Sequence, residues 1–108
     1  MGRWLRICEA EAIPEGHAAR VEIGDLPIAL FNVGGEFHCL DDTCSHALAS
    51  LSEGELHPDD CSVECPLHGS QFDLRSGEPI SLPAVEAVRV HRVEVREREV
   101  WVELEEEG

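Results

Sequence analysis

The stretch "IALFNVGGEFHCL", Ile28 to Leu40, decides the architecture. Two apolar runs flank Gly34–Gly35, and a glycine pair between such runs signals a tight β-hairpin. Just upstream, "ARVEI" (Ala19 to Ile23) precedes the turn residues "GDLP". Near the C-terminus, "AVRVHRVEVREREVWVEL" places valine at 88, 90, 93, 95, 100 and 102. That is strand alternation with a one-residue slip between Val90 and Val93, which predicts a bend or bulge there. "REREV", 96–100, is expected to turn a final hairpin. No helical period appears beyond a possible turn after Glu9. The expected fold class is all-β, a sandwich or barrel, in one domain spanning 1–108. Within it, Cys8, Cys39, Trp4 and Trp101 fall at apolar strand positions and read as core residues.

Between about 40 and 83 the character changes. Gly54, Pro58, Gly69, Gly77, Pro79 and Pro83 break the chain into loops, so this segment reads as a loop-rich insertion on the β scaffold. Loops held on a rigid scaffold are where function concentrates. The end of the chain, "ELEEEG", reads as a frayed, solvated tail.

Composition narrows the work such a domain can do. Net charge is -15, from 23 acidic residues against eight arginines and no lysine. Nucleic-acid binding needs clustered positive charge against phosphate, so it is excluded. An acidic surface instead suits docking onto a basic protein partner. No apolar run approaches bilayer length and the N-terminus turns acidic within nine residues, so neither a membrane span nor a secretory signal is expected. The expectation is a cytoplasmic monomer. There are five cysteines, and an odd count without an export signal argues for buried thiols or metal ligands rather than a disulfide scaffold.

Spacing sorts the five. "DDTCSHA" places Cys44 two residues before His46, and "VECPLHGSQFD" places Cys65 three residues before His68. Four N/S donors on two short loops admit two occupants. One is tetrahedral zinc, although zinc modules usually pair their cysteines closely and carry the histidines on a helix. The other is a two-iron, two-sulfide cluster in which histidines replace two cysteines on one iron. Cys61 is a decoy: three residues on stands Glu64, not histidine, so a buried or surface thiol is the better reading. His17, His38, His57 and His91 lack a cysteine at the required offset and read as ordinary histidines.

"CSH…CPLHGSQFD" resembles the Rieske iron–sulfur signature. The likeness extends to "IALFNVGGEFHCLDDTCSHALASLSEGEL" and to "SGEPISLPAVEAVRV", which is similar to the proline-containing third loop of Rieske-type ferredoxins. The resemblance implies one [2Fe–2S] cluster, with Cys44 and Cys65 on the inner iron and His46 and His68 on the outer one. It also implies histidine edges near the surface, an exit for the electron. Gly69 is expected to permit close backbone approach to the cluster. Pro83 is expected to shield it. Ala47 departs from the glycine many relatives carry after the first histidine.

Two ferric ions, two sulfides and two thiolates sum to zero charge, so neutral imidazoles leave a core that accepts an electron more readily than an all-cysteine cluster. Respiratory relatives add a disulfide between the two loops, but Ala49 and Leu67 occupy those positions here. They also donate hydrogen bonds to cluster sulfur from a serine and a tyrosine, where this chain has Ser70 and Phe72. Fewer donors imply a potential toward the low end of the Rieske span, on the order of -150 mV.

No catalytic residue is expected. The resemblance is to the ferredoxin component of bacterial ring-hydroxylating dioxygenases. It implies a one-electron carrier between an NAD(P)H-oxidising flavoprotein reductase and a terminal oxygenase. Alternatives within the same chemistry are a nitrite reductase small subunit and a Rieske protein of iron–sulfur assembly. Outside it stand a zinc-stapled interaction module and, more weakly, a metal-free β domain.

Overall fold

Strand Leu26–Val33 is buried on both faces, and the whole molecule is organised around it. The computed structural model describes residues 3–45, 49–67, 69–82 and 86–104. Among these there are nine strands, three short 3₁₀ turns and no α-helix. The strands are β1 (Trp4–Glu9), β2 (Ala18–Ile23), β3 (Leu26–Val33), β4 (Glu36–Asp41), β5 (Glu55–His57), β6 (Ser62–Glu64), β7 (Gln71–Asp73), β8 (Val90–Arg96) and β9 (Glu99–Glu103). Six form one antiparallel sheet in the order β1-β9-β8-β4-β3-β2, and β5-β6-β7 form a second, smaller sheet. The all-β expectation holds. The segment between 40 and 83 is more ordered than a run of loops, since it carries the second sheet.

Successive side chains of a strand point to opposite faces, so β3 feeds two cores. Ile28 and Leu30 join Ile13, Cys39, Val100 and Val102 inside the curled large sheet. Ala29 and Phe31 join Leu40, Cys44, Leu51, Cys61, Val63, Cys65, Phe72, Leu74 and Val88 between the two sheets. This is why "IALF" reads as an unbroken apolar run where a half-exposed strand would alternate. Each large side chain buried this way contributes roughly 1.5–3 kcal/mol.

Turn chemistry follows the sequence. β3 and β4 meet with Val33 opposite Glu36, leaving Gly34 and Gly35 at φ 61° and 95°. β8 and β9 meet with Arg96 opposite Glu99, and Glu97 and Arg98 take φ 50° and 66°. Both are two-residue turns with positive φ throughout, whose twist matches that of the strands. The 3₁₀ turn Ala10–Ala12 stands where a turn after Glu9 is expected.

Two expectations are corrected. The Val90/Val93 slip is not a bulge: β8 pairs β4 through Val90 and His91 and β9 from Arg92 onward, with regular register in both ladders. Val90 packs on one core and Val93 on the other, so the valine pattern changes parity because the strand changes cores. The register shift instead lies in β1, between Arg6 and Cys8. The tryptophans are not core anchors either. Val100 and Val102 point inward, so Trp101 between them must face out. There it and Trp4 flank the Arg96 guanidinium, at 5.2 and 4.7 Å from the ring centroids. Cys39 is fully buried, as expected, and Cys8 is half-buried against the same core.

Candidate metal centre

Two loops at one end of the molecule are closed in the same way. The Cys44 N–H donates to the Ala49 carbonyl at 3.0 Å, and the Cys65 N–H donates to the Ser70 carbonyl at 2.7 Å. Each bond joins residue i to residue i+5, with the cysteine at the neck and the histidine position within the loop. An antiparallel bridge between Thr43 and Ser50 lies under the first neck. The β6–β7 ladder, with Glu64 opposite Gln71, lies under the second. The Gly69 N–H also donates to the Cys65 carbonyl at 3.0 Å.

Both thiols point into the core between the sheets: Cys44 and Cys65 are 4% and 1% exposed and belong to the same buried cluster. None of the five cysteines is in a disulfide, and Leu67 stands exposed where respiratory relatives place a bridging cysteine. His46, His68, Ala47 and Pro83 lie outside the described residues, as does the tail 105–108. As a donor set, two reduced, buried thiols on separate, matched loops fit a group that takes one thiolate from each side.

The first loop is clasped by a buried carboxylate. Asp42, 2% exposed, accepts from Ser50 Oγ through Oδ2 and from the Ser52 N–H through Oδ1 at 2.9 Å. Its own carbonyl accepts from the Leu51 N–H at 2.7 Å. Three consecutive residues of the returning arm thus hang on one side chain and its backbone. Arg20 from β2 covers the carboxylate, Nε to Oδ2 at 3.1 Å. Sequence reading missed Asp42, although "DDTCSH" places it two residues before a ligand candidate, because "DD" also reads as a solvated turn.

The third loop packs against the second. The Ile80 N–H donates to the Gln71 carbonyl at 2.7 Å, and Ser81 Oγ accepts from the Gln71 N–H at 2.9 Å. Ser45, beside Cys44, donates from Oγ to the Glu86 carbonyl at 2.6 Å. Leu67, Ile80 and Leu82 are exposed, an apolar rim on a strongly acidic chain.

The other candidates fall outside this centre. Cys61 is buried, in left-handed backbone at φ 50°, with Sγ 3.7 Å from His38 Nε2. Burial pushes its thiol pKa up and pushes the His38 imidazole down. Burial likewise holds Cys39 far above the ordinary thiol range. His91 is buried against Asp41 Oδ1 at 2.7 Å. His57 approaches Glu64 at 3.1 Å, and His17 is exposed. Gly69 takes φ 75°, the left-handed region that favours glycine, and a Cβ built there would lie 3.7 Å from Glu64 Oε2. Gly54 and Gly77 are the close-approach glycines: a Cβ would fall 2.0 Å from the Glu64 carbonyl oxygen at one and 2.1 Å from that of Val88 at the other. Ser70 is fully buried at the second neck, and Phe72 belongs to the core.

Comparison with known proteins agrees with this geometry. The family model for the Rieske [2Fe-2S] domain matches residues 3–94. The chain is 44% identical over 99 residues to the 3-phenylpropionate/cinnamic acid dioxygenase ferredoxin subunit of Shigella boydii serotype 4, covering 92% of each chain. The Escherichia coli K12 protein of the same name matches equally. Among solved structures, the ferredoxin of carbazole 1,9a-dioxygenase from Nocardioides aromaticivorans IC177 superposes with TM-score 0.88 at 30% identity, covering 92% of this chain and 95% of that one. A chain from a complex of reduced oxygenase and oxidized ferredoxin in carbazole 1,9a-dioxygenase superposes at 0.86 with 42% identity, over 93% and 92%. A nitrite reductase small subunit from Mycobacterium tuberculosis, 22% identical at TM-score 0.86, shares the fold. This chain belongs to the Rieske [2Fe-2S] domain family, with one Rieske-type cluster as its cofactor and the carriage of electrons, not catalysis, as its work.

Proposed function

We infer that this protein is the ferredoxin component of a multicomponent aromatic-ring-hydroxylating dioxygenase. It takes electrons singly from an NAD(P)H-dependent flavoprotein reductase and delivers them to a terminal oxygenase. In this reading the chain is a single domain over 1–108, acting as a cytoplasmic monomer. Cys44, Cys65, His46 and His68 would hold the cluster, with the Cys44 and Cys65 thiols contributed from the core. The cluster supplies a one-electron couple. The chain's residues fix its two necks, keep water from the thiolate side and present the opposite side to a partner.

The carrying observation is the matched pair of loops, each closed at its neck by the backbone N–H of a cysteine whose thiol is buried. Equal closure of the two loops suits a cluster that would take one thiolate from each. A zinc staple is disfavoured, since such modules usually pair their cysteines two to four residues apart and carry the histidines on a helix, and the described residues form no α-helix. The ring-hydroxylating assignment rests on the named relatives and on their coverage of nearly the whole chain. The exposed Leu67, Ile80 and Leu82 supply an apolar contact beside the cluster loops, and the charge of -15 supplies long-range steering toward a basic partner.

The test is anaerobic reconstitution followed by chemical and spectroscopic assay. Expected are two irons and two acid-labile sulfides per chain, and a rhombic EPR signal after dithionite reduction. Cys44→Ala and Cys65→Ala should each abolish both. The loaded protein should couple NAD(P)H oxidation by a flavoprotein reductase to turnover of a ring-hydroxylating oxygenase, at a rate that falls as salt rises. Absence of acid-labile sulfide overturns the site. Transfer to a nitrite reductase with none to the oxygenase overturns the pathway.

A further inference from the structure

The small sheet carries a second cluster of metal-ligating side chains on the face turned away from the core. Glu55 on β5 lies directly opposite Glu64 on β6, and His57 lies directly opposite Ser62. Opposed residues of an antiparallel pair share a face, as do residues two apart on one strand. All four side chains therefore leave the same face, while Leu56 and Val63 pack on the core. Two carboxylates directly opposite each other repel, and the ladder fixes them there.

The ligand atoms lie at coordination spacing. One oxygen from each glutamate and a ring nitrogen of His57 fall within 4.8 Å of one another. His57 Nε2 stands 3.1 Å from Glu64 Oε1 and 3.8 Å from Glu55 Oε2. Two ligands on one tetrahedral zinc, with bonds near 2.1 Å, are separated by about 3.4 Å. The two observed distances bracket that value. The neighbouring Ser62 is fully buried, and its Oγ has no hydrogen-bond partner among the described residues. A buried hydroxyl without a partner is costly. This one lies directly opposite His57 on the ladder.

We propose that Glu55, His57 and Glu64 form a mononuclear site for a borderline divalent cation of the zinc class, with water in the fourth position. One imidazole among two carboxylates favours such an ion over magnesium or calcium, which prefer all-oxygen shells. The ligands come from the β5–β6 ladder alone, so the site stands independently of the functional reading above. It adjoins the second loop all the same: Glu64 precedes Cys65, and its Oε2 lies 3.7 Å from where a Gly69 Cβ would be.

The experiment is calorimetric titration of the cluster-loaded protein with zinc ion alone, with the visible spectrum recorded before and after. Expected is one equivalent bound with the spectrum intact, weakened at least tenfold in His57→Gln and in Glu64→Gln. His17→Gln, at an exposed histidine, should bind as the parent does, and magnesium should give no saturable site. Saturation that survives His57→Gln identifies adventitious binding to an acidic surface and overturns the proposal. So does absence of heat up to millimolar zinc, or heat that appears only as the cluster colour fades.

Discussion

Asp42→Ala should loosen the first cluster loop far more than an acidic surface residue would. The substitution removes the acceptor for Ser50 Oγ and for the Ser52 N–H. Hydrogen bonds to a charged acceptor are each worth about 1.5–3 kcal/mol, and both donors are half-buried, so water replaces part of the loss. Taking the low end for each gives about 3 kcal/mol, with nothing assigned to the exposed Arg20. That corresponds to about two powers of ten in the equilibrium for opening segment 44–49. Asp42→Asn keeps a neutral acceptor and should lose roughly half, about a tenfold effect. The assay is decay of the visible cluster absorption under excess iron chelator, followed beside guanidinium unfolding of each variant. Alanine should accelerate decay about a hundredfold, and asparagine should fall between it and the parent. Decay within twofold of the parent in both variants refutes the clasp.

Gly54→Ala places a Cβ against the Glu64 carbonyl with no φ strain to share the blame, and should cost upwards of ~3 kcal/mol by denaturant unfolding. Gly24→Ala, where φ is 61° and nothing lies within 4 Å, should cost only ~1 kcal/mol. The folded His38 has its pKa lowered by burial, so below the ordinary imidazole value near 6.5 the unfolded chain binds more protons. Stability should therefore be complete above that pH and fall as pH drops toward the depressed value, and His38→Gln should flatten this slope in pH-dependent unfolding. Leu67→Ser and Leu82→Ser, at sites 59% and 77% exposed, should cut the second-order rate of electron transfer several-fold with melting unchanged. Ser70→Ala should lower the reduction potential in protein-film voltammetry; an unchanged potential removes Ser70 from the tuning of the cluster.

The legibility of this chain depended on whether a residue's role was local. The hairpin turns at Gly34–Gly35 and Glu97–Arg98 were readable because two-residue turns impose their conformation on the residues within them. The ligand candidates stood out by offset alone, and the same offset set Cys61 aside. What escaped was set by tertiary parity. Trp101 looks like core until Val100 and Val102 are seen to claim the inner face, and the Val90/Val93 slip looks like a bulge until the strand is seen to pass from one core to the other. Asp42 escaped for a third reason: its partners Arg20, Ser50 and Ser52 are gathered by the sheet, and nothing in "DDT" announces them.

The double-sided burial of β3 makes that strand a party wall. Leu30 and Phe31 are neighbours in the chain, yet each is mortared into a different chamber, one roofed by β9 and the other by the small sheet that carries the second of the two matched loops. Packing lost from one face of this strand also loosens the other, so a defect in either chamber is expected to show as loss of colour. A small carrier built this way keeps its prosthetic group only as long as its entire frame is sound.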